Sequence, residues 1–369
     1  MSLDSVIISG GGTGGHIYPA LAIADEIKRR HPGCQIQLVG AEGRMEMEKV
    51  PNAGYPIDGL WITGIERKIL SKKNLLFPFK LISSLLKAGK LIRKHKPQIA
   101  IGVGGFASGP LLYRAAGKGI PTLIQEQNSF PGITNKLLAK KALRICTGFP
   151  DMERWFPKSR ITITGNPLRS GISDISGKQQ EGLKHFGLSD AKKTVFIMGG
   201  SLGARSMNEA TKKALEAWDK AGIQVLWQTG KRFFEPNQQL VQEAGFSHVV
   251  VLGFIDRMDL AYGAADCIVS RAGAMSISEL AIVGKPSIFV PSPHVSEDHQ
   301  TKNAKSLTDR NAAILLTDKA VVDDLEATVL NLLSDEVLCT KLSASIQAQA
   351  RPNAASDVVD EIEKLIGGK

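Results

Sequence analysis

The sequence predicts an α/β protein of two Rossmann-like, doubly wound domains, and three observations carry that prediction. Short apolar, β-branched runs alternate with amphipathic segments from one end of the chain to the other. The two halves open on the same plan, VIISGGGTGGH from Val6 and VFIMGGSLGAR from Val195. In each, a buried strand runs into a glycine loop and then a helix. Such alternation calls for parallel sheets with helices on both faces. A chain of 369 residues also suits two domains better than one.

Taken in order, the candidate strands of the first half are residues 6–9, 35–39, 99–103, 122–125, 143–146 and 161–164. Those of the second are 194–198, 224–228, 249–252, 267–270, 287–290 and 313–316. Helical patterns fill the gaps, among them 18–30, 207–221, 275–282 and 298–310. The domains join near GNPLRSG (165–171), where Pro and Gly punctuate the chain. This gives an N-terminal domain of residues 1–168 and a C-terminal domain of 169–351. The segment 352–369 reads as a helix after Pro352 and is expected to pack back on the first domain.

Hydrophobic residues make up 43% and charged residues 22%, an ordinary globular balance that excludes a disordered chain. No run of about 18 apolar residues occurs, so no segment is expected to span a bilayer. The start, MSLDSVIISGGG, lacks a basic n-region and a long apolar h-region and reads as a first strand rather than a signal peptide. Cys34, Cys146, Cys267 and Cys339 lie far apart without a CxxC pair, as expected of buried thiols in a reducing cytoplasm. The net charge of +10 is uneven: residues 1–169 hold 25 basic and 11 acidic residues, the remainder 21 and 25. Between Glu66 and Glu126 there are twelve basic residues and no acidic one. The first half therefore faces a polyanion: membrane headgroups, nucleic acid or a phosphorylated substrate.

Three loops carry the binding chemistry: GGGTGG (10–15), GVGGFASG (102–109) and GGSLGAR (199–205). A strand that ends in glycines and feeds a helix lets backbone N–H groups approach a diphosphate. The first loop also satisfies G-x-G-x-x-G, with Glu42 placed as a ribose acid, so a dinucleotide site competes. A second glycine loop heading an equal domain and the histidine directly after the first speak against it. No GxxxxGK[ST] occurs, which excludes Walker A. A further constellation is DCIVSRAGAMSISELAIVGKPSIFVP (266–291). Its strand ends in Arg271-Ala272-Gly273, and Ser276 and Ser278 open the following helix as diphosphate donors. Glu279 accepts from two ribose hydroxyls, or is simply a carboxylate near its helix start. Gln300, in the EDHQ that follows PSPHVS, is placed to read sugar hydroxyls.

The stretch from Arg67 to Lys96 is both apolar and basic. Leu81, Leu85, Ala88 and Ile92 share one helical face, while Lys80, Lys87, Lys90, Arg93 and Lys94 lie elsewhere. Leu75, Leu76 and Phe77 precede Pro78 and read as an apolar loop. With Lys72, Lys73 and Lys80 they form a candidate interfacial membrane patch. The competing reading is a helix packed on the sheet with a solvated basic back. Nucleic acid is not expected, because neither aromatic interleaving nor a known fold motif accompanies the charge.

Together and in this order, TGGH, GVGGFASGP, QEQN (125–128), GNPLR, GGSLGAR and AGAMSISE make the chain resemble the MurG family of bacterial N-acetylglucosaminyltransferases. The resemblance spans about residues 5–365. It implies a GT-B fold, two Rossmann-like domains facing across a cleft, and UDP-N-acetylglucosamine as donor. It implies as acceptor an undecaprenyl-diphosphate-linked N-acetylmuramyl-pentapeptide, with a β-1,4 linkage formed in peptidoglycan synthesis. It implies no cofactor, peripheral placement on the cytoplasmic face of the inner membrane, and other cell-wall synthesis proteins as partners. Carried onto this sequence, the donor site falls on Thr13, Gly14, Gly15, Asn128, Arg169, Ser201, Ile255, Ala274, Met275, Ser276, Ile277, Ser278, Glu279 and Gln300. Gly104 and Gly105 are assigned to the acceptor diphosphate. Leu202 and the Met275-Ser276 pair depart from the family pattern, which bears on local packing.

For sugar transfer His16 is the candidate base, since an imidazole of pKa about 6.5 suits proton transfer at neutral pH. The alternatives are a structural histidine that fixes the loop or one that binds acceptor diphosphate. No D-x-D triplet occurs, so no metal is expected to bridge the UDP. Two rivals remain: a UDP-sugar epimerase of the same twin-domain fold, and a nucleotide- or phospholipid-binding module without catalysis.

Overall fold

Strands covered on both faces sort their side chains by parity, and the first strand shows it. The computed structural model describes residues 2–64, 75–168, 175, 177–200 and 202–367, without the Ser296 side chain. In it β1 (Ser5–Ser9) sends Val6 and Ile8 to one side of its sheet and Ile7 to the other. Its partners are β2 (Gln35–Ala41), β3 (Ile57–Leu60), β4 (Ile99–Gly102), β5 (Thr122–Glu126), β6 (Arg144–Thr147) and β7 (Ile161–Ile163). They form a parallel sheet in the order β3-β2-β1-β4-β5-β6-β7. The second sheet is parallel as well. It contains β8 (Thr194–Met198), β9 (Gln224–Gln228), β10 (Val249–Leu252), β11 (Cys267–Ser270), β12 (Ser287–Phe289) and β13 (Ile314–Leu315), in the order β10-β9-β8-β11-β12-β13.

The chain divides into two units, Met1–Arg169 with Arg351–Lys369, and Ser170–Ala350. The first carries α1 (Gly14–Arg30), α2 (Glu46–Asn52), α3 (Phe77–His95), α4 (Ser108–Ala116) and α5 (Ile133–Leu138). The second carries α6 (Lys178–Phe186), α7 (Arg205–Lys220), α8 (Phe234–Glu243), α9 (Met258–Ala264), α10 (Ala274–Val283), α11 (His299–Thr308), α12 (Val321–Ser334) and α13 (Glu336–Gln347). The last helix, α14 (Ala354–Gly367), belongs to the first unit. Its Val358, Val359, Ile362 and Ile366 enter the core beside Val6, Ile8 and Leu21. Its charged face is tied down by Arg30 to Asp360 at 2.6 Å, His31 to Glu363 at 2.8 Å and Arg144 to Glu361 at 2.7 Å.

Sequence pattern missed β3 and α2. The first is an edge strand, IDGL, with a glycine and an acid in four residues. The second has Pro51 near its end. Helix α1 begins at Gly14, four residues before its apolar periodicity starts. The extended Thr13 caps it, and the Thr13 carbonyl accepts from His16 and Ile17 N–H. Cys34, Cys146 and Cys267 are buried and Cys339 half-buried, all as free thiols. Burial pushes Cys34 up to about 11, with a small further rise from Asp4, which leaves it unreactive. No described helix is long and apolar enough to cross a membrane.

Candidate active site

Open parallel sheets bind ligands where strand order reverses, because adjacent connections leave there in opposite directions and open a crevice. In the first sheet that place lies between β1 and β4, where Ser9 pairs with Gly102. The first and second glycine loops leave these two strands. In the second sheet it lies between β8 and β11, where Met198 pairs with Ser270. Here the third glycine loop leaves β8, and Arg271-Ala272-Gly273 leaves β11 to start α10. Motifs far apart in sequence thus meet at one switch point in each unit.

In the first unit the two loops pack on each other. Gly104 and Gly105 both adopt positive φ, +89° and +85°. A Cβ on Gly105 would strike the Gly11 backbone, and one on Gly104 would meet the His16 ring. These two glycines therefore serve close loop packing, whatever else they bind. Ser108 fastens the arrangement by donating to Ser9 O and Gly104 O at 2.8 and 2.7 Å. His16 sits half-buried in the first turn of α1, with Nδ1 2.9 Å from Gly11 O and 3.4 Å from Thr13 Oγ1. A carbonyl only accepts, so Nδ1 carries the hydrogen and Nε2 the lone pair. Thr13 is exposed, and Gly14 and Gly15 are the first residues of the helix, Gly14 lying against the Tyr18 ring.

Asn128 is held from below by a side chain that its sequence motif did not single out. Glu126 is buried at the end of β5 and accepts from Asn128 N, Gly132 N and Asn135 Nδ2 at 3.0, 3.2 and 2.8 Å. Burial pushes its carboxyl pKa up, and these donors pull it back. The neighbouring Gln125 and Gln127 join Asn166 of the GNPLR motif: Gln125 Nε2 donates to Asn166 Oδ1, and Asn166 Nδ2 to Gln127 O, both at 3.0 Å. QEQN and GNP are thus two sides of one buried polar network.

In the second unit Gly273 is the extended cap of α10, whose first turn carries no acidic residue, as suits a helix start that faces an anion. Ser276 and Ser278 are half-buried in its opening turns, and Ala274 and Ile277 turn inward, with Met275 between them half-buried. Glu279 receives the Tyr262 hydroxyl on Oε2 at 3.0 Å. Burial pushes the Glu279 carboxyl up to about 7, against the lowering effect of that hydrogen bond. Tyr262, wholly buried, was not foreseen; nothing local in AYGAAD marks it. Ile255 is buried beyond β10, and Gln300 Oε1 accepts from Ser292 N at 2.8 Å. Arg271 ties the strand ends together, reaching Val290 O at 3.1 Å and Asp318 at 2.6 Å. Arg169 and Ser201 lie outside the described residues.

The basic, apolar segment differs from its sequence reading in two respects. Phe77 opens α3 with Pro78 in the first turn and packs partly on the core, so the apolar loop is a helix start. Lys80 is turned inward, its stem covered, with Nζ 3.3 Å from Thr63 Oγ1 and 5.5 Å from the Trp61 ring. The buried face is rotated to include Lys80, Ser84, Ala88, Leu91 and Ile92. That rotation leaves Leu75, Phe79, Ile82 and Leu86 as one exposed stripe, at 76, 64, 58 and 60% exposure. Leu76 stands beside it, 45% exposed; Lys72 and Lys73 lie outside the described residues.

Comparisons with known proteins cover both halves of the chain. The family described as glycosyltransferase family 28 N-terminal domain matches residues 6–147, and its C-terminal counterpart matches 194–358. A relative in Christiangramia forsetii is 53% identical over 364 residues, 99% of this chain and 98% of that protein. It is named UDP-N-acetylglucosamine–N-acetylmuramyl-(pentapeptide) pyrophosphoryl-undecaprenol N-acetylglucosamine transferase. Among solved structures, Acinetobacter baumannii MurG superposes with a TM-score of 0.80 at 31% identity, covering 98% of this chain and 99% of that one. A UDP-GlcNAc 2-epimerase from Neisseria meningitidis matches at a TM-score of 0.67 but only 13% identity, covering 98% of this chain and 100% of that one, a likeness of fold alone. With both domain families matched in order and a half-identical relative along its whole length, the chain belongs to the MurG family of glycosyltransferases.

Proposed function

We propose that the chain transfers N-acetylglucosamine from UDP-N-acetylglucosamine to the 4-hydroxyl of N-acetylmuramyl-(pentapeptide) pyrophosphoryl-undecaprenol, with inversion. The observation that carries this reading is the pair of switch points, each with a glycine loop leaving the strand beside it. Donor contacts are assigned to Ile255, residues 274–279, Gln300 and Ser201 of the second unit, and to Thr13, Gly14, Gly15, Asn128 and Arg169 of the first. Glu279 takes the ribose hydroxyls. His16 Nε2 takes the proton of the attacking hydroxyl. As that oxygen bonds to C1 of the sugar, the C1–O bond to the diphosphate breaks and its electron pair leaves with UDP. The amides opening α10, with Ser276 and Ser278, take up the departing charge.

Membrane placement is part of the same proposal: the stripe of Leu75, Phe79, Ile82 and Leu86, with exposed Lys90, Arg93 and Lys94 farther along α3, docks the first unit on an anionic inner leaflet. Exchanging Leu75, Phe79 and Ile82 for Ser is expected to lower partitioning onto anionic vesicles at least about tenfold, if each contributes on the order of 1 kcal/mol. Unfolding temperature should stay unchanged, because all three are exposed. Partitioning equal to the parent's removes the docking assignment.

The epimerase reading shares only the fold. Incubated with UDP-N-acetylglucosamine alone, the protein is expected to leave it intact, and UDP should be released on adding the lipid-linked acceptor. A new UDP-sugar formed without acceptor would replace the transferase reading.

A further inference from the structure

Glu46 is fully buried, although it belongs to a charged stretch, AEGRMEMEK. Its two oxygens accept backbone N–H groups: Oε1 from Ala41 at 3.0 Å and Oε2 from Gly12 at 2.9 Å. Gly12 lies in the first glycine loop, so the carboxylate fills an amide cradle that a bound diphosphate would otherwise use. The surrounding glycines fit this use. A Cβ on Gly11 would collide with Glu46 Oε1, and one on Gly40 with Glu46 Cγ; neither glycine has positive φ. Their small size makes room for an internal carboxylate.

The Gly12 N–H and the Gly11 carbonyl are the two ends of one peptide group. The N–H end donates to Glu46, and the carbonyl end accepts from His16 Nδ1 at 2.9 Å. Hydrogen bonding at one end of an amide polarises the other, so a carboxylate on the N–H makes the carbonyl a stronger acceptor. We infer that Glu46 is a positioning residue for His16, acting through the Gly11–Gly12 peptide to fix the imidazole in the tautomer protonated at Nδ1. The arrangement does for this histidine what a directly bonded carboxylate does elsewhere, with one peptide interposed. The second glycine loop, residues 102–109, which meets the ring at Gly104, carries no charge, and α1 carries none before Asp25. The inference rests on the proposed role of His16 only for its effect on rate.

The test is Glu46→Gln, the same shape without the charge, whose amide cannot accept from both N–H groups. In protein labelled with ¹⁵N-histidine and free of substrate, wild-type His16 is expected to titrate from a neutral form protonated at Nδ1. In E46Q the Nε2-protonated form should appear and the midpoint should fall. In the transferase assay, kcat should drop about tenfold or more and the acidic limb of the pH profile should move to lower pH, with UDP affinity within twofold of the parent. Glu46→Asp, which keeps the charge but draws it back, should shift the same signals less and carries the test if E46Q fails to fold. Unchanged ¹⁵N shifts and midpoint would overturn the inference. Shifted resonances with an unchanged rate would sustain the relay and instead remove His16 as the base.

Discussion

His16→Ala is expected to lower turnover by about 10²-fold or more while UDP binding is kept, the usual loss on removing a general base. The expectation follows from how the ring is held. The Gly11 carbonyl fixes Nδ1 as the protonated nitrogen, and the second loop approaches the ring through Gly104, where a Cβ would not fit. A histidine kept only to brace the loop would show its loss in unfolding temperature and in donor affinity. A base shows it in kcat, and calorimetry with UDP separates the two. Turnover near that of the parent would end the assignment.

Glu279→Ala should act on the other side of the reaction. Hydrogen bonds to a charged group are worth about 1.5–3 kcal/mol, so UDP affinity should fall roughly 10- to 150-fold, with kcat at saturating donor changed much less. The pH dependence carries a sign of its own. Burial pushes this carboxyl up to about 7 while the Tyr262 hydroxyl holds it down, so it is ionised above that pH and protonated below. A protonated carboxyl loses acceptor capacity toward the ribose hydroxyls. UDP binding should therefore be full above pH 7 and weaken as pH falls through it. Glu279→Gln should bind weakly and without that slope. Equal slopes in the two proteins, measured by calorimetry from pH 8 to 6, would remove Glu279 from the ribose site.

Much of this molecule is legible in one sequence because parallel strands are written as short apolar runs. Every strand flanking a switch point, β1, β4, β8 and β11, was readable, and with them the places where the glycine loops begin. What escaped is long-range. Gly11 looks like part of a phosphate cradle, but the atom that requires it small belongs to Glu46, on a different helix. Gly105 yields to the backbone of Gly11, nearly a hundred positions away in sequence on another loop. Lys80 appears outward by helical counting; the Thr63 hydroxyl and Trp61 ring that receive it come from the chain beyond β3, an edge strand too polar to be recognised. The Tyr262–Glu279 bond joins two helices whose facing is set by packing rather than by local pattern.

The most direct measurement supplies the protein with labelled UDP-N-acetylglucosamine and the lipid-linked muramyl-pentapeptide, then determines the lipid product and its anomeric configuration. A β-1,4-linked N-acetylglucosaminyl–muramyl lipid, formed with one UDP released per sugar and lost in His16→Ala, is the predicted result. Label confined to water-soluble sugars, or an α-linked lipid product, would contradict it.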